Sequence, residues 1–83
     1  MTPEQIEYIC VNTIYPSARA KEHNVECAFY DDKGALLAIS PITSVNSHND
    51  YNLIYAYDKQ LECITMLPVS SIGRIALFSC KEN

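Results

Sequence analysis

Two stretches of this chain alternate between apolar and polar residues, and each is interrupted near its middle by a polar turn. The first stretch covers 25–39 and turns at 31–34, Asp-Asp-Lys-Gly; the second covers 53–67 and turns at 58–60, Asp-Lys-Gln. Alternation on both sides of a polar turn is typical of antiparallel strands joined in a hairpin. The pattern therefore predicts two β-hairpins, and a last apolar run at 75–78 predicts a fifth strand.

A helical spacing precedes the hairpins. Thr2 is a good N-cap, Pro3 suits the first helical position, and Gln5 can complete a capping box. One apolar stripe follows at helical spacing, formed by Ile6, Ile9, Cys10, Thr13 and Ile14. We expect Pro16 to end this helix and the segment up to residue 24 to add one short turn. Because residues 9–14 include several β-branched side chains, a strand is the alternative for that stretch.

The strand pattern also predicts which side chains share a face. The five strands are expected at 25–30, 36–39, 51–57, 61–67 and 75–78, with a polar connection at 43–50. Side chains of a strand alternate between its two faces. Cys27 and Phe29 should therefore lie opposite Tyr30, and Tyr55 and Tyr57 should share a face. Leu53 belongs with the two tyrosines, and Ile54 and Ala56 belong to the other face.

A corner closes the predicted fold. The segment 68–72, Pro-Val-Ser-Ser-Ile, should form a single 3₁₀-like turn before the last strand. One helix, five antiparallel strands and such a corner are typical of an SH3-like or Sm-like small barrel; the alternative is an α+β sheet with the helix packed on one face. We expect one domain over 1–83, with a helical segment at 1–24 and the sheet or barrel at 25–80.

A set of motifs spans 18–78: Val-x-Cys-x-Phe, Gly34, Pro41, Ala56-Tyr57-Asp58 and Leu67-x-Val69-x-x-Ile72. In these residues the chain resembles the Trp-Tyr-Leu (WYL) regulatory domain, a bacterial Sm-like barrel associated with transcription regulators and defence systems. The order of elements is also similar to bacterial Sm-like RNA chaperones, which assemble as rings. Ser71 stands where the first family often has an arginine, and Pro68-Val69-Ser70-Ser71 stands where the second has a lysine–histidine stretch. The two resemblances thus imply a fold and no binding residues.

Composition and charge narrow the classes of function. Hydrophobic residues make up 48% of the 83 residues, which favours a packed globular domain. Ten acidic and six basic residues give a net charge of −4, and the basic residues are scattered. Because phosphate backbones are bound by clustered Lys and Arg, nucleic acid is disfavoured as a partner. An acidic protein is better suited to a basic protein surface.

Location and thiol chemistry follow from the termini and the cysteines. The polar start of the chain is no secretory signal, and no apolar run reaches the ~20 residues of a membrane helix, so a cytoplasmic protein without membrane contact is expected.

Cys10, Cys27, Cys63 and Cys80 show no Cys-x-x-Cys spacing. They are interpreted as buried reduced thiols; a Cys27–Cys63 disulfide would need an oxidising compartment. The histidines, His23 and His48, form no recognisable ligand set.

Candidate binding residues are mainly tyrosines, of which the chain has six and no tryptophan. Aromatic rings with a polar tip are favoured at interfaces, but packing at the rim of the barrel, with the hydroxyls reaching water, is the more common role of such residues. The polar loop before the third strand adds a histidine and an aspartate. The proposed binding set is Tyr30, Tyr51, Tyr55, Tyr57, His48, Asp50 and Arg74.

No catalytic motif accompanies these residues. Ser70-Ser71 lacks the context of a hydrolase nucleophile, and Glu4 with Glu7 or Asp31 with Asp32 are solvated acidic pairs. We expect no enzyme, cofactor or metal.

The sequence therefore predicts a small non-enzymatic protein-interaction module with a protein partner. A homodimer is a further expectation, because so small a domain gains stability by burying an apolar face. By analogy of size and charge, the module would suit a phage or mobile-element inhibitor of host machinery. The alternatives are a WYL-like barrel that senses a small molecule or nucleotide near Tyr51, Tyr55 and Arg74, and an Sm-like RNA-binding ring.

Overall fold

The computed structural model describes residues 1–20, 24–48, 50 and 52–79. The described part begins with helix α1 (Pro3–Ile9), a π-helical turn (Cys10–Ile14) and helix α2 (Tyr15–Arg19). Two 3₁₀ turns, Ile42–Ser44 and Val69–Ser71, interrupt the β-rich remainder. The strands are β1 (Val25–Tyr30), β2 (Leu36–Pro41), β3 (Asn46–His48), β4 (Leu53–Asp58), β5 (Cys63–Pro68) and β6 (Arg74–Ser79).

The helix starts as predicted but does not end at Pro16. Thr2 and Gln5 form the capping box, with the Gln5 amide donating to the Thr2 hydroxyl oxygen over 3.2 Å. The predicted stop at Pro16 is wrong, because the backbone remains helical to Arg19. The Tyr15 amide donates to the carbonyl of Cys10, five residues earlier, which widens the turn. Pro16 then lies in the first turn of α2, directly after this wide turn, a position that proline tolerates.

The strands form two antiparallel three-stranded sheets rather than one barrel. Their orders are β2-β1-β6 and β3-β4-β5. The predicted mainly β fold with an N-terminal helix is confirmed, but the described strands number six and the sheets are not closed into a five-stranded barrel. The additional strand, β3, lies in the predicted polar connection. Its polar sequence did not indicate a strand, yet its backbone pairs in register with β4, Asn46 opposite Tyr55 and His48 opposite Leu53.

The two sheets meet along β2 and the end of β4. The Tyr57 amide donates to the hydroxyl oxygen of Ser40, which is buried and in turn donates to the Pro41 carbonyl. The Lys59 amide donates to the Ile39 carbonyl over 2.9 Å. These bonds satisfy backbone groups at the junction of the sheets, so β2 and β4 are held side by side without a continuous ladder.

The core lies between the sheets and the helical segment. Ile6, Cys10 and Ile14 of the predicted stripe are buried, whereas Thr13 is exposed. The burial of β4 follows the predicted alternation, whereas β1 is buried on both faces, since Glu26 and Ala28 are buried along with Cys27 and Phe29. The strand residues of the core are Cys27, Phe29, Ala38, Ile54 and Ala56, joined by Ile42, Val45, Val69 and Ile72 from the turns.

The predicted corner is confirmed as the 3₁₀ turn Val69–Ser71, and it leads into a close backbone contact. The Gly73 amide donates to the Tyr30 carbonyl over 2.8 Å. A Cβ at Gly73 would lie 2.5 Å from the Cα of Asp32. Glycine at 73 therefore permits the start of β6 to lie against the turn between β1 and β2.

The β1–β2 turn is built by a carboxylate and a glycine. The Oδ1 atom of Asp31 accepts hydrogen bonds from the amides of Lys33 and Ala35, over 2.9 and 2.8 Å. Gly34 has a φ of +87°, as its position in the turn predicted. Among the described residues, no helix is both long and apolar enough to pass through a membrane.

Candidate interaction surface

The most exposed apolar surface of the β-sheets lies on the side of β4 and β5 that faces away from the core. Tyr55 pairs with Met66, and Tyr57 pairs with Ile64, so the four side chains share one face. Their exposed fractions are high for apolar strand residues: 39% for Tyr57, 72% for Ile64 and 57% for Met66. We call the surface of Tyr55, Tyr57, Ile64 and Met66 the outer face.

Strand β3 extends the outer face with polar side chains. Its Asn46 lies opposite Tyr55 in the ladder. The His48 ring contacts the Tyr55 ring edge-on, with ring centres 6.0 Å apart and an interplanar angle of 71°. Asn46, Tyr55, Tyr57 and Ile64 line a shallow cavity of about 360 Å³ together with Ser44 and Ala56. The arrangement offers ring faces and hydroxyls beside flexible apolar side chains.

The outer face continues to the tip of the β4–β5 hairpin. Leu61, in the connecting turn, is 73% exposed. The turn is held by Asp58, a buried residue whose Oδ1 accepts from the Gln60 amide over 2.9 Å. Because this carboxylate binds backbone amides, it shapes the hairpin and does not charge the outer face.

The structure divides the predicted binding residues between the two sheets. Tyr55, Tyr57 and His48 lie on the second sheet, and Asp50 is exposed in the connection between β3 and β4. Tyr30 and Arg74 are paired on the first sheet, where the guanidinium carbon of Arg74 lies 4.2 Å from the centre of the Tyr30 ring. That contact is a cation–π interaction. Tyr51 lies outside the described residues.

Sequence reasoning missed the apolar members of the outer face. In the sequence, Leu61, Ile64 and Met66 are members of an apolar run, which usually points to a core. The hairpin itself carried the signal that was overlooked. Once Asp58 and Cys63 are paired across the turn, Ile64 falls opposite Tyr57, on the face that the alternation of β4 turns away from the core.

The three thiols that the structure describes are free and differ in their surroundings. Cys10 and Cys27 are buried, as predicted, but Cys63 is exposed at the hairpin end of β5, so the prediction of a buried thiol there is wrong. Burial raises the pKa of the Cys27 thiol to about 12, with a smaller contribution from Cys10. Burial also raises the pKa of Cys10, partly offset by hydrogen bonds from Ser47 and Tyr15. Both buried thiols are therefore protonated at neutral pH; Cys80 and His23 lie outside the described residues.

Tyr15 ties the helical segment to the second sheet. Its hydroxyl oxygen accepts from the Ser47 amide over 2.9 Å and lies 3.2 Å from the Ser47 hydroxyl. The contact places β3 against the helix and orders one border of the outer face. The contact positions β3 and is not part of the outer face, because the Tyr15 side chain packs against the core.

A second concave surface lies beside helix α1. A cavity of about 610 Å³ is lined by Met1, Glu4, Gln5, Tyr8, Ile9 and Gly73. It combines one exposed aromatic ring with a carboxylate and reaches Gly73, at the start of β6. The part of the chain that the structure describes contains no group of three or more His, Cys, Asp or Glu arranged to hold a metal ion.

No protein-family model, curated protein or solved structure matches this chain. The resemblance to WYL and Sm-like domains therefore stays a prediction.

Proposed function

We propose that this protein is a small interaction module that binds another protein through the outer face. The observation that carries the proposal is the set of apolar side chains on β4 and β5 that point away from the core. Ile64 and Met66 are 72% and 57% exposed, although folding normally buries such residues. Scattered exposed apolar residues need no explanation, but these lie on one face beside two tyrosines.

The chemistry of the outer face suits a protein partner. Tyrosine and methionine are enriched in the centres of protein interfaces, where charged residues are depleted. Each of the four side chains of the outer face is uncharged, so docking requires no desolvation of an ion there. Tyr57 and Tyr55 offer large rings with few rotatable bonds, and Met66 can adapt its shape to a partner.

The proposal is tested by truncating one ring and comparing it with a ring elsewhere. Tyr57→Ala removes an outer-face side chain from β4, and Tyr8→Ala removes a ring from the helix surface that is more exposed, 69% against 39%. Immobilised wild-type protein is used to capture a partner from the source organism, and the affinity of that purified partner is then measured for each variant.

We expect Tyr57→Ala to weaken binding at least tenfold, about 1.4 kcal/mol, while Tyr8→Ala leaves the affinity unchanged. Equal affinity of both variants and the wild type would contradict the outer face as the binding surface. Co-purification of RNA with the wild-type protein, and of no protein, would contradict the interaction module itself.

A further inference from the structure

Strand β5 is an unprotected sheet edge. It ends the order β3-β4-β5 and is paired on one side only among the described strands. Its sequence, Cys63–Pro68, contains no charged residue. Exposed edges of natural sheets usually carry lysines, prolines or bulges that prevent another strand from pairing with them. Here only Pro68, at the far end, provides such protection.

The direction of the backbone groups on β5 follows from the hydrogen bond that closes its ladder. The backbone N–H of Val69 donates to the backbone carbonyl of Asn52 over 2.9 Å, so the backbone N–H and C=O groups of residue 69 point towards β4. In an antiparallel pair, residues point alternately towards and away from the partner strand. The backbone N–H and C=O groups of Thr65 therefore point towards β4, whereas those of Ile64 and Met66 point to the open edge.

Two other observations agree with this alternation. Tyr57, which pairs with Ile64, directs its amide away from β5, to the hydroxyl of Ser40. Pro68 has the same parity as Ile64 and Met66, so its missing N–H falls on the open side, where proline is tolerated in a sheet. Four backbone groups of Ile64 and Met66 are thus available to a further strand.

We propose that a second copy of this chain pairs antiparallel with β5, about a two-fold axis that passes beside Thr65. In this register Ile64 of each copy lies opposite Met66 of the other. Each such pair exchanges two backbone hydrogen bonds, which uses every open N–H of the two residues. Their side chains also meet across the axis as apolar cross-strand pairs.

Charge and symmetry favour a second copy over an unrelated strand. Although the chain has a net charge of −4, the paired segment is uncharged, and the register places Glu62 of one copy opposite Pro68 of the other. Acidic side chains therefore do not face each other. A two-fold interface joins the same surface of both copies, so that surface must be complementary to itself. β5 meets this requirement, because Ile64 and Met66 of one copy pair with Met66 and Ile64 of the other.

The available area sets the expected strength. Leu61, Ile64 and Met66, with exposed fractions of 57–73%, present roughly 300 Å² per copy along β5 and its hairpin end, less than half of a standard interface. We therefore expect a dimer that dissociates on dilution in the micromolar range. Pairing would join the two second sheets into one six-stranded sheet, with the outer faces of both copies adjacent.

Amide hydrogen exchange tests the pairing with an internal control. The Thr65 amide is bonded to β4 in both states, so its exchange should not depend on protein concentration. The Ile64 and Met66 amides should exchange quickly in dilute protein and slow at least tenfold at about 200 μM, where light scattering should give the mass of two chains. A monomer at that concentration, or exchange of Ile64 and Met66 that is independent of concentration, would overturn the proposal.

Variants separate the edge from the outer face. Met66→Pro removes an outward N–H without removing a bond to β4, so the variant should fold and be monomeric. Tyr57→Ala changes β4 and should leave the dimer intact. Loss of partner binding in this variant can therefore be distinguished from loss of the dimer. A folded Met66→Pro variant that remains dimeric would overturn the proposal. If Met66→Pro does not fold, Ile64→Lys decides: it should weaken the dimer at least tenfold, and an unchanged dimer would refute the pairing.

Discussion

Replacing Gly73 by alanine should be among the most damaging single-methyl changes in this protein. The added Cβ would lie 2.5 Å from the Cα of Asp32, 2.6 Å from its amide nitrogen and 2.8 Å from the carbonyl carbon of Asp31. All three are backbone atoms, which cannot move aside as the end of a side chain can. The start of β6 or the β1–β2 turn must therefore shift.

The size of the effect follows from what the shift disturbs. Overpacking costs about 1–3 kcal/mol. The displaced segment also carries the hydrogen bond from the Gly73 amide to the Tyr30 carbonyl, which contributes about 1 kcal/mol. We expect Gly73→Ala to lower the free energy of unfolding by about 3 kcal/mol, a large part of the roughly 5–10 kcal/mol that a domain of this size has. The melting temperature should fall by about 15 °C.

Gly34→Ala is the matched control. Gly34 has a φ of +87°, but a Cβ there would meet no atom within 4 Å. Its cost is therefore conformational, about 1–2 kcal/mol. Urea unfolding followed by circular dichroism gives both values. If Gly73→Ala costs no more than Gly34→Ala, the close backbone contact does not limit this position and the reasoning is refuted.

Three further outcomes are expected. Tyr15→Phe should cost about 1–3 kcal/mol in urea unfolding, because the Ser47 amide loses its acceptor; an unchanged midpoint would contradict the contact. In a Cys80→Ser background, a thiol reagent at pH 8 should modify Cys63 rapidly and Cys27 only as fast as the protein unfolds, because Cys27 is buried and its raised pKa of about 12 keeps it protonated; rapid labelling of two thiols would contradict this. Asp31→Ala should cost about 1 kcal/mol through two lost hydrogen bonds, and stability equal to the wild type would show that the carboxylate does not hold the turn.

Local rules predicted the local structure well. The capping box of Thr2 and Gln5, the Gly34 turn and the 3₁₀ corner at Val69–Ser71 each depend on a few neighbouring residues, and each is present. The alternation of β4 placed Tyr55 and Tyr57 on one face for the same reason, because side chains of a strand alternate whatever the strand packs against. The predicted stop at Pro16 failed because proline also suits the first turn of a helix.

The binding surface was only partly predictable. The tyrosines of β4 could be placed on the outer face from spacing alone. Whether Ile64 and Met66 were core or surface could not, because an apolar residue in a strand is buried only if another layer covers its face. Tyr30 and Arg74 were grouped with the tyrosines of β4 by residue type, whereas strand pairing put them on the other sheet.

The sequence by itself determined where this chain turns, which residues begin its helix and which side chains share a strand face, since these depend on contacts over a few residues. Tertiary structure alone decided that β3 joins β4, that the strands divide into two sheets, and that Gly73 must lie against Asp32. It also decided that β5 is paired on one side only among the strands that the structure describes. Pairing partners lie far apart in the chain, and backbone hydrogen bonding between them is nearly independent of side-chain type, so no local pattern records it.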